Sequence, residues 1–170
     1  ITGERPAESA ERVLATVMFI DIVGSTDHAV QMGDAAWTDI LRAYYGIVRR
    51  TLAKFRGREA NVAGDGFLST LDGPARAVRC ALDLTQAVRQ LGIEIRAGVH
   101  IGECEVIGDD VGGVAVHTGA RIMAEAAPGE VLASGTIKDL VAGSGLSFAD
   151  RGEHALKGVP GQWRLFTASA

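Results

Sequence analysis

The sequence predicts an α+β domain, in which a ferredoxin-like antiparallel sheet has helices packed on one face. Three observations support this fold class. The chain has 170 residues, the size of one domain, and 47% of them are apolar, which suffices for one sizeable core. Segments typical of strands and of helices alternate along the chain. Gly64, Asp65 and Gly66 separate two short strand-like runs, a pattern that indicates a β-hairpin.

The N-terminal half is predicted to contain three strands and two helices. The expected strands are 13–20, 59–63 and 67–71, and the expected helices are 37–55 and 74–91. Residues 13–20 are apolar and partly β-branched, which indicates a central strand buried on both faces. Apolar residues recur at helical spacing from Trp37 to Phe55. Pro74 suits the first turn of the second helix.

The C-terminal half is predicted to consist of shorter elements. The expected strands are 93–101, 104–107, 131–133, 146–151 and 163–167, and the expected helices are 115–126 and 136–141. Residues 93–101 alternate apolar with mostly polar side chains, which is the pattern of a half-buried strand. We expect residues 104–107 to return antiparallel to that strand. The Gly-rich segment 108–113 is predicted to form a loop.

The domain boundaries follow from the polar start of the chain. We expect residues 1–11 to be a linker or domain edge and residues 12–170 to form the functional domain. The first residues carry no initiating Met, so the domain is expected to belong to a longer chain with sensor or regulatory domains.

Charge and cysteine content exclude several classes of function. The formal net charge of −4 includes no basic excess, so nucleic acid is not an expected partner. The longest apolar run, 13–20, is too short to span a bilayer, and we expect no membrane contact from this domain. Cys80 and Cys104 belong to no CxxC or Cys/His cluster, which argues against zinc and fits a reducing cytoplasm.

Two carboxylates are candidates for a metal site. Asp21 ends an apolar strand, where an unpaired charge is costly, and Asp65 lies at the tip of the predicted hairpin. In a ferredoxin-like sheet the hairpin lies beside the first strand, so the two carboxylates can bridge two Mg²⁺ ions. The turn Gly24–Thr26 offers backbone N–H groups and a helix start that suit a phosphate. Each feature alone also has an ordinary explanation: Gly-Asp-Gly as a hairpin turn, and Asp21, Ser25 or Thr26 as helix-cap residues.

Six motifs follow one another between residues 13 and 166. They are FIDIVGST (19–26), GREANVAGDGFLSTLDGP (57–74), IRAGVHIGE (95–103), DDVGGVAVHTGARI (109–122), PGEVLAS (128–134) and LKGVPGQWRLF (156–166). In this order they resemble the motifs of class III adenylate and guanylate cyclases. The resemblance covers nearly the whole chain and implies the class III nucleotide cyclase fold for the α+β domain.

The resemblance also implies a reaction, the conversion of ATP to 3′,5′-cyclic AMP and pyrophosphate with two divalent metals, Mg²⁺ or Mn²⁺. By matching position, the implied metal ligands are the side chains of Asp21 and Asp65 and the backbone carbonyl of Ile22. The implied substrate-binding residues are Gly24, Ser25, Thr26, Asn61, Asp110 and Lys157, and the implied catalytic residues are Arg121 and His117. A planar guanidinium at 121 suits the charge that develops on phosphoryl oxygens.

Two positions depart from the family pattern. Asn61 stands where adenylate cyclases carry the Lys that reads adenine, and His117 stands where they carry a transition-state Asn. An Asn amide donates and accepts, whereas Lys only donates, so GTP stays an alternative substrate. ATP is the favoured substrate, because the Asp110 carboxylate can accept a hydrogen bond from the adenine amino group. GTP stays a competitor, since guanine N1–H and N2–H₂ also suit a carboxylate.

The family forms its active sites at a head-to-tail dimer interface, so the resemblance implies a homodimer. Two alternatives stay open. One is a weakly active or degenerate cyclase domain with relaxed base choice, GTP included, that serves mainly a regulatory role. The other is a ferredoxin-like interaction module without metal-dependent nucleotide binding. A diguanylate cyclase is set aside, because the hairpin reads Gly-Asp-Gly-Phe and lacks a GGDEF sequence.

Overall fold

The computed structural model describes residues 11–60 and 66–170. Within these residues one eight-stranded sheet has the order β2-β3-β1-β4-β6-β8-β7, with β5 paired to β4. The strands are β1 (Glu11–Ile22), β2 (Arg58–Ala60), β3 (Phe67–Leu71), β4 (Ile95–Ile107), β5 (Asp110–Gly112), β6 (Val131–Ser134), β7 (Ser147–Ala155) and β8 (Gln162–Ser169). The helices are α1 (Ser25–Met32), α2 (Asp34–Lys54), α3 (Pro74–Ala87), α4 (Val114–Ala124) and α5 (Gly135–Leu140), and a 3₁₀ turn (Val88–Leu91) follows α3.

The predicted fold class is confirmed, although the sheet is mixed. The β4–β6 pair is parallel, while every other pair among the described strands is antiparallel. The expectation that helices cover one face was wrong. Helices α2 and α3 pack on one face of the sheet and α4 packs on the other. Both faces of β1 are apolar, so the sequence alone does not show which face each helix covers.

Three local expectations also need correction. Strand β4 continues unbroken through 104–107, and the strand that returns antiparallel to it is β5. A helix start was expected at Gly24–Thr26, but no bounds were predicted for helix α1, because it contributes no fully buried side chain and lacks an apolar stripe. Neither Ser25 nor Thr26 caps it, since Gly24 occupies the N-cap position. The expected strand at 59–63 is present as β2, and its last three residues lie outside the described part of the chain.

The core lies on both sides of β1. Met18 and Ile20 face the cluster formed with α2 and α3, whereas Val17 and Phe19 face the cluster formed with α4. All four side chains are at most 1% exposed. Successive strand residues point to opposite faces, so one apolar run serves two layers. This burial fixes the backbone that leads into Asp21.

Two glycines allow α4 to lie close to the sheet. A Cβ atom added to Gly98 on β4 would lie 2.5 Å from the backbone nitrogen of Met123 on α4. A Cβ atom added to Gly119 on α4 would lie 3.0 Å from Cγ2 of Val17. The distance between helix and sheet therefore depends on the absence of these side-chain atoms.

We predict that Gly98→Ala lowers the free energy of unfolding by about 1–3 kcal/mol, because α4 must shift or the new methyl overlaps backbone atoms. Chemical denaturation followed by circular dichroism measures this change. Gly112→Ala is the matched control, since a Cβ atom there meets nothing within 4 Å. Equal stability of the two variants would contradict the close-approach argument.

Glu130 directly precedes β6, and its side chain contacts residues of β7 and β8. Its carboxylate accepts hydrogen bonds from Arg151 Nε at 2.7 Å, from the Ala127 backbone N–H at 2.8 Å and from the Thr167 hydroxyl at 2.5 Å. Burial raises the pKa of this carboxyl, but the three donors outweigh it and bring the pKa from 4.5 down to about 2. Arg151 lies on β7 and Thr167 on β8, so the ionised form stabilises this side of the sheet.

We predict a loss of stability as the pH falls from about 5 to about 2.5, much of it due to Glu130. The folded pKa is depressed, so its contribution is complete above the unfolded pKa and disappears as the carboxyl protonates. Glu130→Gln should lower the unfolding free energy by about 1–3 kcal/mol near neutral pH and by little at the acid end. Glu153→Gln is the control, because Glu153 is 58% exposed in its ion pair with Arg164. If the difference in unfolding free energy between Glu130→Gln and wild type did not change with pH across this range, ionisation of Glu130 would not be a cause of the acid loss of stability.

Candidate active site

Asp21 lies where the buried strand β1 reaches the sheet edge. Its side chain is 38% exposed, although residues 17–20 before it are buried. The carboxylate lines two clefts, one of about 410 Å³ and one of about 270 Å³. The strand therefore presents an ionisable oxygen donor to solvent at a fixed position.

The smaller cleft beside Asp21 is aromatic, with Trp37, Tyr44 and Phe67 among its lining residues. Burial, with Tyr45 and Asp21 as further causes, raises the pKa of the Tyr44 phenol. Tyr44 therefore stays neutral next to the carboxylate.

The larger cleft contains the predicted phosphate turn. Gly24, Ser25 and Thr26 line it together with Asp21. Gly24 has φ 65° and ψ 34°, a left-handed conformation that glycine adopts most easily. Helix α1 starts at the next residue, so its first backbone N–H groups lie beside the cleft. The turn thus has the chemistry of an anion site, as the sequence predicts.

Arg96 also lines this cleft, and the sequence analysis assigned it no site role. It lies opposite Asp21 in the β1–β4 register, and its Nη2 donates to Asp21 Oδ2 at 3.3 Å. Its side chain is 31% exposed. Only the cross-strand register reveals this pairing, since 75 positions separate the two residues along the chain.

A second group of predicted site residues meets near α4. His117 Nε2 lies 3.1 Å from the backbone carbonyl oxygen of Lys157, so these two positions are brought together. Arg121 follows His117 by one helical turn and is half-buried, while His117 and Lys157 are exposed. The structure therefore groups the predicted catalytic residues with one of the predicted substrate-binding residues.

Asp110 lies at the opposite end of the sheet from Asp21. It starts β5 and pairs with Ile107, just beyond the level at which Val106 pairs with Glu11. Asp21 is ten residues further along β1, which corresponds to roughly 30 Å at the rise of a strand. Asp110 and Asp21 of one chain therefore do not contact the same nucleotide.

The described residues fit a divalent cation in part. Asp21 and the adjacent Ile22 carbonyl are hard oxygen donors, the type that Mg²⁺ and Mn²⁺ prefer. Within 11–60 and 66–170 no three His, Cys, Asp or Glu side chains cluster closely enough to hold a metal ion. Asp65, the second predicted ligand, and Asn61, the predicted base-reading residue, lie outside the described residues. A two-metal site therefore requires Asp65.

Comparison with known proteins agrees with this architecture. The profile of the adenylate and guanylate cyclase catalytic domain matches residues 6–168. The chain belongs to this family. It is a class III nucleotide cyclase domain, and that family is one of lyases.

Sequence relatives are longer than this chain. A Rhizobium meliloti protein named as a candidate adenylate cyclase (adenylate cyclase 3) is 32% identical over 95% of the chain and 29% of its own length. An uncharacterised Mycobacterium tuberculosis protein is 27% identical over 79% of the chain and 36% of its own length. The cyclase domain thus spans about a third of these relatives.

Solved structures show the same fold. The adenylyl cyclase CyaB from P. aeruginosa superposes with a TM-score of 0.86 at 22% identity, over 95% of this chain and 96% of that one. The guanylate cyclase domain of RhGC from Catenaria anguillulae, solved with GTP, gives 0.81 at 20% identity over 92% and 96%. An adenylyl cyclase and a guanylate cyclase thus share this fold, so the fold does not distinguish ATP from GTP as the substrate.

Among residues 11–60 and 66–170, none of the helices has the length and apolar character needed to span a membrane.

We predict that Gly24→Ala lowers the free energy of unfolding by about 1 kcal/mol, because a Cβ atom disfavours the left-handed conformation. A Cβ atom at position 24 meets nothing within 4 Å, so the cost comes from the backbone alone. Gly24→Asn should cost less, since Asn tolerates this conformation better. Thermal unfolding of both variants tests this order, and an Asn variant less stable than the Ala variant would contradict it.

Proposed function

We propose that this domain converts ATP to 3′,5′-cyclic AMP and pyrophosphate by two-metal catalysis at a homodimer interface. One observation carries the proposal of a dimer. Asp21 and the phosphate turn lie at one end of the β1–β4 ladder, while Asp110 lies at the other, roughly 30 Å away. In a head-to-tail dimer, the metal-binding end of one chain can face the base-reading end of its partner.

The proposed chemistry is an in-line displacement at the α-phosphorus. The ribose O3′ forms a bond to this phosphorus, the bond to the β-phosphate oxygen breaks, and the O3′ proton passes to solvent. Two divalent cations held by Asp21, Ile22 and Asp65 would polarise the phosphoryl oxygens and favour ionisation of the hydroxyl. The protein's own residues are expected to lower the barrier further by holding the ribose hydroxyl and the phosphates in the orientation for reaction.

Each proposed residue has a role that suits its chemistry. The backbone N–H groups at Gly24, Ser25 and Thr26 bind phosphate oxygens at the start of α1. Arg121 of the partner donates to oxygens that gain charge in the transition state, and His117 of the partner donates to ribose or phosphate. The ammonium group of Lys157 binds the triphosphate. These cations offset the repulsion between a domain of net charge −4 and a polyanion.

Base selection is assigned to Asp110 and Asn61. The exposed Asp110 carboxylate accepts from the adenine amino group, which favours ATP. A second candidate function is a weakly active domain that also accepts GTP and serves mainly in regulation. It is favoured by Asn61 and His117, which replace the Lys and Asn typical of adenylate cyclases.

We propose further that the domain is part of a longer cytoplasmic protein with sensor or regulatory domains. Its relatives extend well beyond the matched domain, which supports sensor or regulatory domains in the whole protein. Cys80 and Cys104 are free and buried in clusters on opposite faces of the sheet, so they do not pair with each other. Free cysteines agree with a cytoplasmic location, where the substrate is abundant.

We predict that Asp21→Asn and Arg121→Ala each abolish cyclic AMP formation and that mixing them restores it. A mixed dimer carries both substitutions in one site and none in the other. An equimolar mixture should therefore recover about a quarter of wild-type activity. The assay uses Mn²⁺ with ATP or GTP in parallel, across protein concentration.

Two outcomes would contradict the proposal. If the wild-type domain formed no more product than the Asp21→Asn variant, the proposed cyclase activity would be refuted. Activity in wild type without complementation in the mixture would refute the shared site. Arg42→Gln is the control, because Arg42 is exposed and forms an ion pair with the neighbouring Asp39.

A further inference from the structure

Helix α4 contacts the segment that follows β7 through the ring of His117. The Nε2 atom of this ring lies 3.1 Å from the backbone carbonyl oxygen of Lys157. A carbonyl oxygen only accepts hydrogen bonds, so Nε2 must carry a proton and donate it. In the neutral ring the other nitrogen, Nδ1, then has no proton and only accepts. The two ring nitrogens therefore have different tasks, and Nε2 is already engaged within its own chain.

The Lys157 segment, residues 156–161, is shaped to receive this ring. Gly158 has φ 78°, in the left-handed region that glycine adopts most easily. A Cβ atom added to Gly158 would lie 2.9 Å from His117 Nε2, closer than Cβ atoms approach their neighbours in proteins. The backbone conformation of the segment and the space for the ring thus both depend on glycine at position 158.

The Lys157 segment is anchored by packing on both sides of Lys157. Leu156 and Val159 are buried in one cluster with Ile122 of α4. The Val159 N–H donates to the Leu156 carbonyl oxygen at 3.0 Å and closes a turn that contains Lys157. Lys157 itself is exposed. Packing therefore holds the two ends of the turn, while the His117 ring holds the backbone of residue 157 between them.

We propose that His117 is a positioning residue for Lys157, whose backbone it holds so that the ammonium group lies where it binds the triphosphate. The inference rests on the proposed function, in which Lys157 binds the triphosphate, and it gives His117 a second role. The nucleotide contact proposed for His117 then falls to Nδ1. That nitrogen donates in the protonated ring and accepts from a ribose hydroxyl in the neutral ring.

Asn and Gln at position 117 separate the tasks of the two ring nitrogens. An Asn amide ends near the position of Nδ1, whereas a Gln amide reaches about as far as Nε2 and carries a donor there. If His117 acts on the nucleotide through Nδ1 alone, His117→Asn is the milder substitution. If His117 also positions Lys157, His117→Gln is the milder one. The two hypotheses therefore predict opposite orders of nucleotide affinity.

The first measurement is the affinity for α,β-methylene-ATP with Mn²⁺, by calorimetry on the whole 170-residue domain. We expect His117→Asn to weaken binding about fivefold, the effect of one lost hydrogen bond, and His117→Gln to stay within about twofold of wild type. Affinity of His117→Asn equal to or higher than that of His117→Gln would overturn the inference. A wild-type domain that binds no analogue would instead contradict the proposed function.

The second measurement tests whether His117 acts through Lys157. Lys157→Met removes the ammonium group and keeps the backbone carbonyl, so in this background His117→Asn and His117→Gln should differ by less than about twofold. Lys54→Met is the control, because it removes the same charge from an exposed ion pair with Asp83 and should preserve the full difference. A difference that persists in the Lys157→Met background would overturn the assignment of His117 as a positioning residue for Lys157.

The third measurement is hydrogen exchange of the Val159 amide, which reports on the turn and needs no nucleotide. His117→Asn should accelerate this exchange about threefold and His117→Gln should leave it near the wild-type rate. Gly158→Ala should accelerate it more than Gly161→Ala, because both glycines have positive φ but a Cβ atom at position 161 meets nothing within 4 Å. The His117 variants alone decide if Gly158→Ala does not fold. Equal exchange in wild type and His117→Asn would overturn the inference, whether or not the domain binds nucleotide.

Discussion

The antiparallel ladder between β1 and β4 is the constraint on which the rest of the domain depends. It pairs all twelve residues of β1, from Glu11 opposite Val106 to Ile22 opposite Ile95. The ladder fixes the register in which Arg96 meets Asp21 at one end. It also carries β5, and with it Asp110, at the other end. A one-residue shift would turn every side chain of β1 to the opposite face.

The two layers of core follow from the same strand. Because β1 is apolar on both faces, it binds α2 and α3 on one side and α4 on the other. Gly98 and Gly119 then set the distance of α4 from the sheet. The helix that carries His117 and Arg121 is thereby held against the strand that carries Asp21. Stability and the arrangement of the candidate site therefore depend on the same contacts.

The separation of the candidate site into two halves has an electrostatic consequence. A triphosphate is strongly anionic and the domain has a net charge of −4, so binding needs local positive groups. One chain presents Arg96 and helix-start N–H groups near Asp21, and presents His117, Arg121 and Lys157 beside α4. In the proposed dimer both sets would surround one nucleotide. Pairing of two chains would then assemble the positive field as well as the catalytic groups.

The sequence by itself determined the fold class, the central strand and the family, because these depend on contiguous patterns. FIDIVGST places an apolar strand, a carboxylate and a glycine turn within eight positions, and local geometry suffices to interpret them. Only the tertiary structure decided that α4 covers the second face, that β4 runs through 104–107, and that Arg96 contacts Asp21 and Ala124. These features depend on register and on helix docking between distant segments, and such contacts leave no periodic trace in one sequence.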